Sequence, residues 1–259
     1  MTNASLLFFI FFAALLVHGG FSTTFTFQNN CSNTVWPGIQ NQPNVPAFQL
    51  TGFELAPSAS NSITAPTNWA GRMWGRTGCS TDASGRFTCQ TGDCGTGQVA
   101  CNGNAGAPPA SLLEFTLQGD GGKDFYDVSL VDGFNLPVSI APQGVSGCTT
   151  TSCSANINSQ CPAVLQLTVS GAIVGCKSAC LAFNQDQYCC TGPYNSPQTC
   201  KPTIYSEFFK SECPQAYSYA FDDSSSTFTC TGANYLITFC PSEVLVSHKI
   251  IVFCTLTIM

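Results

Sequence analysis

Between Leu112 and Pro137 the chain alternates apolar and polar side chains as a strand pair does. Leu113, Phe115 and Leu117 take every second position, with Glu114 and Thr116 between them and Gln118 after. A strand that buries the odd positions presents Glu114 on its more polar face. Gln118 to Lys123 (QGDGGK) carries turn chemistry, Phe125 to Val131 (FYDVSLV) is a second aromatic and β-branched run, and Asp132-Gly133 marks another turn. The two runs predict a long hairpin. Asp127 and Asp132 have opposite parity, so they share a face only where a bulge or the turn intervenes.

Short strand patterns separated by Pro, Gly, Asn and Ser fill most of the remaining chain. Thr23 to Phe27 reads as the first strand and Thr34 to Trp36 as its partner, followed by Phe48 to Leu55, Ser62 to Ala65 and Trp69 to Gly75. Asn135 to Ile140, Tyr217 to Phe221, Ser226 to Cys230 and Tyr235 to Cys240 continue the pattern. Helical patterning is confined to Ser178 to Cys189 and Tyr205 to Cys213, beside a short strand or turn-rich run at LQLTV. The fold class is mainly β, and no repeat of solenoid length is visible.

Leu6 to Val17 is an apolar run of secretory length, followed by the small residues Gly20 and Ser22, so residues 1–22 are expected to be a signal peptide although no Lys or Arg precedes the run. No other run is long enough to span a bilayer, so a secreted protein without a stable membrane span is expected. The tail from Pro241 to Met259 leaves two accounts open, a removable sorting extension or a terminus altered by gene prediction. Sixteen of the seventeen cysteines lie between Cys31 and Cys240, and Cys254 sits alone in the tail. An even set in an oxidising compartment implies up to eight disulfides, each worth about 2–5 kcal/mol. The neighbours Cys189 and Cys190 pair outward more easily than with each other. The stretch from Cys148 to Cys213 is expected to bury little core and to be held by its bridges. CxxxC spacings such as Cys176 to Cys180 suit disulfides better than zinc here, and the glycines of Gly85 to Cys101 lack the lysine and helix of a phosphate loop. Asp93 reads as a turn residue. Asn30-Cys31-Ser32 is a glycosylation sequon, but a middle cysteine destined for a disulfide argues against its use.

The formal net charge is −6, with few charges of either sign. That disfavours nucleic acid and anionic membranes and suits a neutral partner such as carbohydrate. Histidine is absent between His18 and His248, which removes Ser-His-Asp, Cys-His and histidine metal chemistry and leaves carboxylates for catalysis. No cofactor and no metal are expected. Glu114, Asp127 and Asp132 then become candidates, because glycoside hydrolysis needs one protonated carboxyl and one ionised partner, and clustered carboxylates push their pKa values apart. From the stretch alone, solvated strand and turn residues explain them better. Arg72 and Arg76 flank Trp74 and either could serve as the cluster's cation or as an ordinary strand arginine.

The segments TFTFQNNC, VWPG, WGRTGC, FYDVSLVDGFNLP, CCTG, FFKSECPQAYSYAFDD and STFTC, with all of Gly85 to Cys101, mark a family. From about Thr23 to Pro241 the chain resembles the thaumatin-like proteins, the osmotin-related plant defence proteins. The resemblance implies a flattened two-sheet β-sandwich with disulfide-rich loop domains: core at about 23–78, 102–147 and 214–241, a small loop at about 79–101, and a cysteine-rich loop domain at about 148–213. Residues 242–259 fall outside it. It implies the pairs Cys31–Cys240, Cys79–Cys89, Cys94–Cys101, Cys148–Cys230, Cys153–Cys213, Cys161–Cys176, Cys180–Cys189 and Cys190–Cys200. It also implies a cleft of Arg72, Glu114, Asp127, Asp132 and Asp222, with Glu114 as general acid, Asp132 as nucleophile or base, and Arg72, Asp127 and Asp222 setting the field around a β-1,3-glucan. The expected protein is a monomeric antifungal defence protein of the apoplast, or of the vacuole if the tail is a sorting signal. Glucan cleavage is weak or absent in many relatives. The rival reading is a non-catalytic inhibitor of a foreign hydrolase, or a structural stress protein, acting through exposed loops. A sweet-taste role fits poorly, since the sweet members look strongly basic.

Overall fold

The computed structural model describes residues 22–242, so the expected leader before residue 22, Cys254 and the tail beyond residue 242 fall outside the described residues. In chain order the strands are β1 (Thr24–Asn29), β2 (Trp36–Asn41), β3 (Ser60–Thr64), β4 (Ala70–Arg76), β5 (Ser80–Thr81), β6 (Phe87–Thr88) and β7 (Leu112–Thr116). They continue with β8 (Asp124–Ser129), β9 (Val138–Gln143), β10 (Thr151–Cys153), β11 (Gln166–Val169), β12 (Ala172–Cys176), β13 (Phe228–Cys230) and β14 (Asn234–Phe239). One five-stranded sheet has the order β10-β9-β14-β1-β3, the other β13-β8-β7-β4-β2. Two-residue alternation explains why these segments pair face to face: Phe25 and Phe27 of β1 and Met73, Leu113 and Val128 of β4, β7 and β8 are all buried in one core. Phe25 meets Phe115 edge to face with ring centroids 4.8 Å apart, and stacks on Tyr235 at 5.7 Å. One buried polar contact crosses between the sheets: Tyr235 Oη donates to Asp124 Oδ2 at 2.8 Å.

Four sequence expectations fail in whole or in part for identifiable reasons. The partners of β1 are β14, in parallel, and β3, while the chain after Asn29 crosses to the other sheet and pairs β2 with β4. The Asn29 amide stitches this crossing, donating to Asn33 O and Leu55 O and accepting from Cys31 N. Phe48 to Leu55 forms no strand, only two isolated bridges. Phe48 and Phe53 are both buried at an odd separation, which a regular strand would send to opposite faces. Tyr217 to Phe221 is also not a strand, because the Asp222 carboxylate draws the chain into a turn by accepting from Ser218 N and Oγ, each at 3.0 Å. The 135–140 segment becomes strand only from Val138, since the Asn135 side chain is bonded to Ser111 N, Gly75 O and Thr91 Oγ1.

Eight disulfides join Cys31–Cys240, Cys79–Cys89, Cys94–Cys101, Cys148–Cys230, Cys153–Cys213, Cys161–Cys176, Cys180–Cys189 and Cys190–Cys200. The cysteine-rich segment holds the helices α1 (Ala179–Phe183), α2 (Asp186–Cys189) and α3 (Ile204–Glu212), the last opened by a Thr203–Ser206 capping box. It contributes more than bridges: Ile157, Leu165 and Phe209 are buried in the main core. A fourth short helix, α4 (Asp223–Ser226), precedes β13. No helix among the described residues is long and apolar enough to cross a membrane.

Candidate functional site

The antiparallel register of the second sheet aligns four polar side chains across four strands. Gln40 of β2 opposes Arg72 of β4, Arg72 opposes Glu114 of β7, and Glu114 opposes Asp127 of β8. Residues directly opposite share a face, and adjacent strands lie about 4.8 Å apart. The row therefore runs about 14 Å across the sheet. Met73, Leu113 and Val128 beside these residues point into the core, so the row lies on the face turned away from it. Arg72 Nε donates to Gln40 Oε1 at 2.8 Å, which fixes the guanidinium along the row.

The row floors an open trough with two parts that share Arg72, Glu114 and Asp127. One part, about 470 Å³, adds Gln40, Gln42 and Phe125; the other, about 420 Å³, adds Asp132, Tyr217 and Asp223. Asp132 enters from the turn after β8, which removes the parity conflict, and its Oδ2 stands 3.6 Å from Arg72 Nη1. That ion pair is partly exposed and contributes about 0–1 kcal/mol to stability, so its main effect is to set the local field.

The trough's electrostatics follow from burial. Loss of solvent raises the Glu114 pKa, the Arg72 charge lowers it in part, and the Asp132 charge raises it further. Burial pushes Asp127 up to about 8, helped by repulsion from Glu114 and Asp223. Asp127 Oδ1 is buried with no hydrogen-bond partner among the described residues, which disfavours its charged form. Asp127 is thus a carboxyl that holds a proton at neutral pH, in register with Glu114. Tyr217 Oη donates to Asp223 Oδ1 at 2.9 Å and also contacts Thr227 Oγ1, which fixes these trough-lining side chains to one another.

Two candidates lie elsewhere. Asp222 does not line the trough. It is 9% exposed, bonded to Ser218 and paired at 2.8 Å with Lys210 Nζ of α3. Lys210 also donates to Ala216 O and Ser226 Oγ, so this cluster pins the segment that carries Tyr217 and Asp223. Arg76 is fully buried, donates to Trp36 O, Pro37 O and Val99 O, and is lowered to about 10 by desolvation against the Asp93 charge. Its role is to tie the small disulfide loop to the sheet. Asp93 accepts from Cys89 N and Gly95 N, as its place in a turn suggests. The sequence reading missed Gln40, Phe125, Tyr217 and Asp223 as trough residues. Parity with Arg72 could have found Gln40 once β2 and β4 were paired; nothing local distinguishes Asp223 from Asp222. Among the described residues no group of three His, Cys, Asp or Glu is placed to hold a metal.

A model of the Thaumatin family matches residues 29–241, which contain both sheets apart from most of β1, all eight disulfides and every trough residue. The chain belongs to the thaumatin family. Thaumatin-like protein 1a of Malus domestica is 60% identical over 232 residues, covering 88% of this chain and 94% of that one. A Prunus avium protein named glucan endo-1,3-beta-glucosidase is 57% identical over 226 residues, covering 86% and 92%. Pathogenesis-related protein 5 of Arabidopsis thaliana is 56% identical over 221 residues, covering 85% and 91%. This member of the thaumatin family is thus similar along most of its length to one protein named as pathogenesis-related and to one named for glucan cleavage.

Proposed function

We propose that this chain is a secreted plant defence protein whose trough binds β-1,3-glucan of fungal walls and cleaves it slowly. The observation that carries the reading is the in-register row Arg72–Glu114–Asp127, with Asp132 paired to Arg72, lining an open trough. Hydroxyls of a neutral glucan can donate to Asp132 and Asp223 and accept from Arg72, Gln40 and protonated Asp127, while Phe125 offers an apolar edge to a sugar face. Cleavage needs a proton for the leaving oxygen and a carboxylate across from it. In this reading Glu114, whose pKa burial raises, acts as proton donor and Asp132 as nucleophile or base, while the proton on Asp127 lets Glu114 and Asp127 sit side by side. Secretion is supported by the eight disulfides and by the apolar run at residues 6–17.

Release of new reducing ends from a linear β-1,3-glucan tests the cleavage. The mature protein should release them, and Glu114→Gln should lower the rate at least 100-fold with thermal melting unchanged. Equal rates in both would remove Glu114 from the mechanism. No release from either, with inhibition of an added fungal hydrolase instead, would favour the inhibitor reading.

A further inference from the structure

The Asn30-Cys31-Ser32 sequon lies outside the trough, and Cys31 is bonded to Cys240. A cysteine at the middle position blocks a sequon only if its bridge forms before the sugar is transferred. Here the partner is 209 residues away, the longest separation of the eight bridges. At a synthesis rate of about 5–20 residues per second those residues take about 10–40 s to appear. Throughout that interval the native bridge cannot exist, and the sequon is part of an unbridged, extended chain. The same separation that makes the bridge a late closure keeps the acceptor open.

The folded structure leaves room for the product. Asn30 follows β1 just before a bend at residues 31–33, its backbone N–H donates to Phe239 O, and the residue is exposed. It borders a groove of about 780 Å³ with Trp36, Gln90 and Asn135 that shares no residue with the trough. Asn30 lines neither part of the trough, whose row begins at Gln40, four residues beyond Trp36 on β2. Between residues 22 and 242 Asn30 is the sole asparagine in an Asn-X-Ser/Thr triplet with X other than Pro.

We propose that Asn30 carries one N-linked oligosaccharide, added during translocation before the Cys31–Cys240 bridge closes. The Asn30 Nδ2 attacks the anomeric carbon of a lipid-diphosphate-linked oligosaccharide held by the host's transferase. The N–C1 bond forms, the C1–O bond to the diphosphate breaks with its electron pair leaving on the lipid diphosphate, and the amide proton passes to a base on the transferase. The Ser32 hydroxyl is the part of the triplet the transferase must recognise.

The proposal rests on the secreted reading, and the test separates the two. The full chain is expressed in a plant cell suspension, and the intact mass of the protein in the medium is measured before and after peptide-N-glycosidase A. The expected result is a mass increase of one oligosaccharide on most molecules, removed by the glycosidase and absent in Asn30→Gln and Ser32→Ala. Protein in the medium with eight bridges and no added mass would overturn the proposal and leave secretion standing. Chain retained in the cytosol with free thiols would overturn both. Because Cys240→Ser can impair folding, occupancy is also read on the total cellular chain: equal occupancy with and without Cys240 supports late closure, and a severalfold rise in Cys240→Ser would overturn it.

Discussion

Asp127 is the residue whose chemistry differs most from its appearance in the sequence. Folded, it keeps its proton up to about pH 8, whereas an unfolded aspartic acid releases it near 4. The folded state therefore binds more protons between those values, and its stability is full below about pH 4 and declines as pH rises through 8. The slope from this group approaches about 1.4 kcal/mol per pH unit. Asp127→Asn should flatten that decline, which urea unfolding at pH 5, 6.5 and 8 would show; an unchanged slope would mean the proton is not held there. Asp222 makes the opposite case. Removing its charge leaves Lys210 without its carboxylate, and Asp222→Asn should cost about 1.5–3 kcal/mol in denaturant unfolding and blunt the trough by loosening Tyr217 and Asp223. Sequence brought forward Glu114, Asp127 and Asp132 through the pattern of the hairpin, while the choice of Arg72 came only from the family resemblance. It could not separate Asp222 from Asp223, or the trough guanidinium of Arg72 from the buried one of Arg76, because those differences arise from contacts with Ser218, Lys210, Trp36 and Val99 that are distant in the chain.

At the scale of elements, the trough depends on how closely β2 and β4 approach. Gly71 of β4 has no room for a side chain: a Cβ there would lie 2.2 Å from Gln40 O and 2.6 Å from the Trp69 ring. Gly71→Ala should therefore push β2 away from Arg72, lower stability by about 1–3 kcal/mol and weaken glucan binding, as melting and a pull-down on insoluble glucan would reveal. A variant that melts and binds like the parent would show that the pair tolerates separation. The β7–β8 hairpin was legible because Leu113, Phe115 and Leu117 keep strict alternation and QGDGGK supplies the turn. Phe48 to Leu55 was not, because its buried positions serve loop packing, and β1's true neighbour β14 lies at the other end of the chain.

For the whole molecule, two sheets share one core and bridges tie the loops to it, Cys31–Cys240 joining the ends of the fold and Cys148–Cys230 and Cys153–Cys213 anchoring the cysteine-rich segment. Spacing alone left the pairing of sixteen cysteines open, and the family resemblance supplied a connectivity. The net charge of −6 is spread thinly, and a neutral glucan releases no counterions on binding. Affinity should change less than threefold between 50 and 500 mM salt, whereas a charged ligand would lose far more. The central claim is that the trough row recognises β-1,3-glucan. Calorimetric titration of a linear β-1,3-gluco-oligosaccharide into the mature protein tests it most directly, beside the double variant Glu114→Gln, Asp132→Asn. Saturable binding that weakens at least tenfold in the variant is the predicted result; equal binding by both proteins, or by neither, would contradict it.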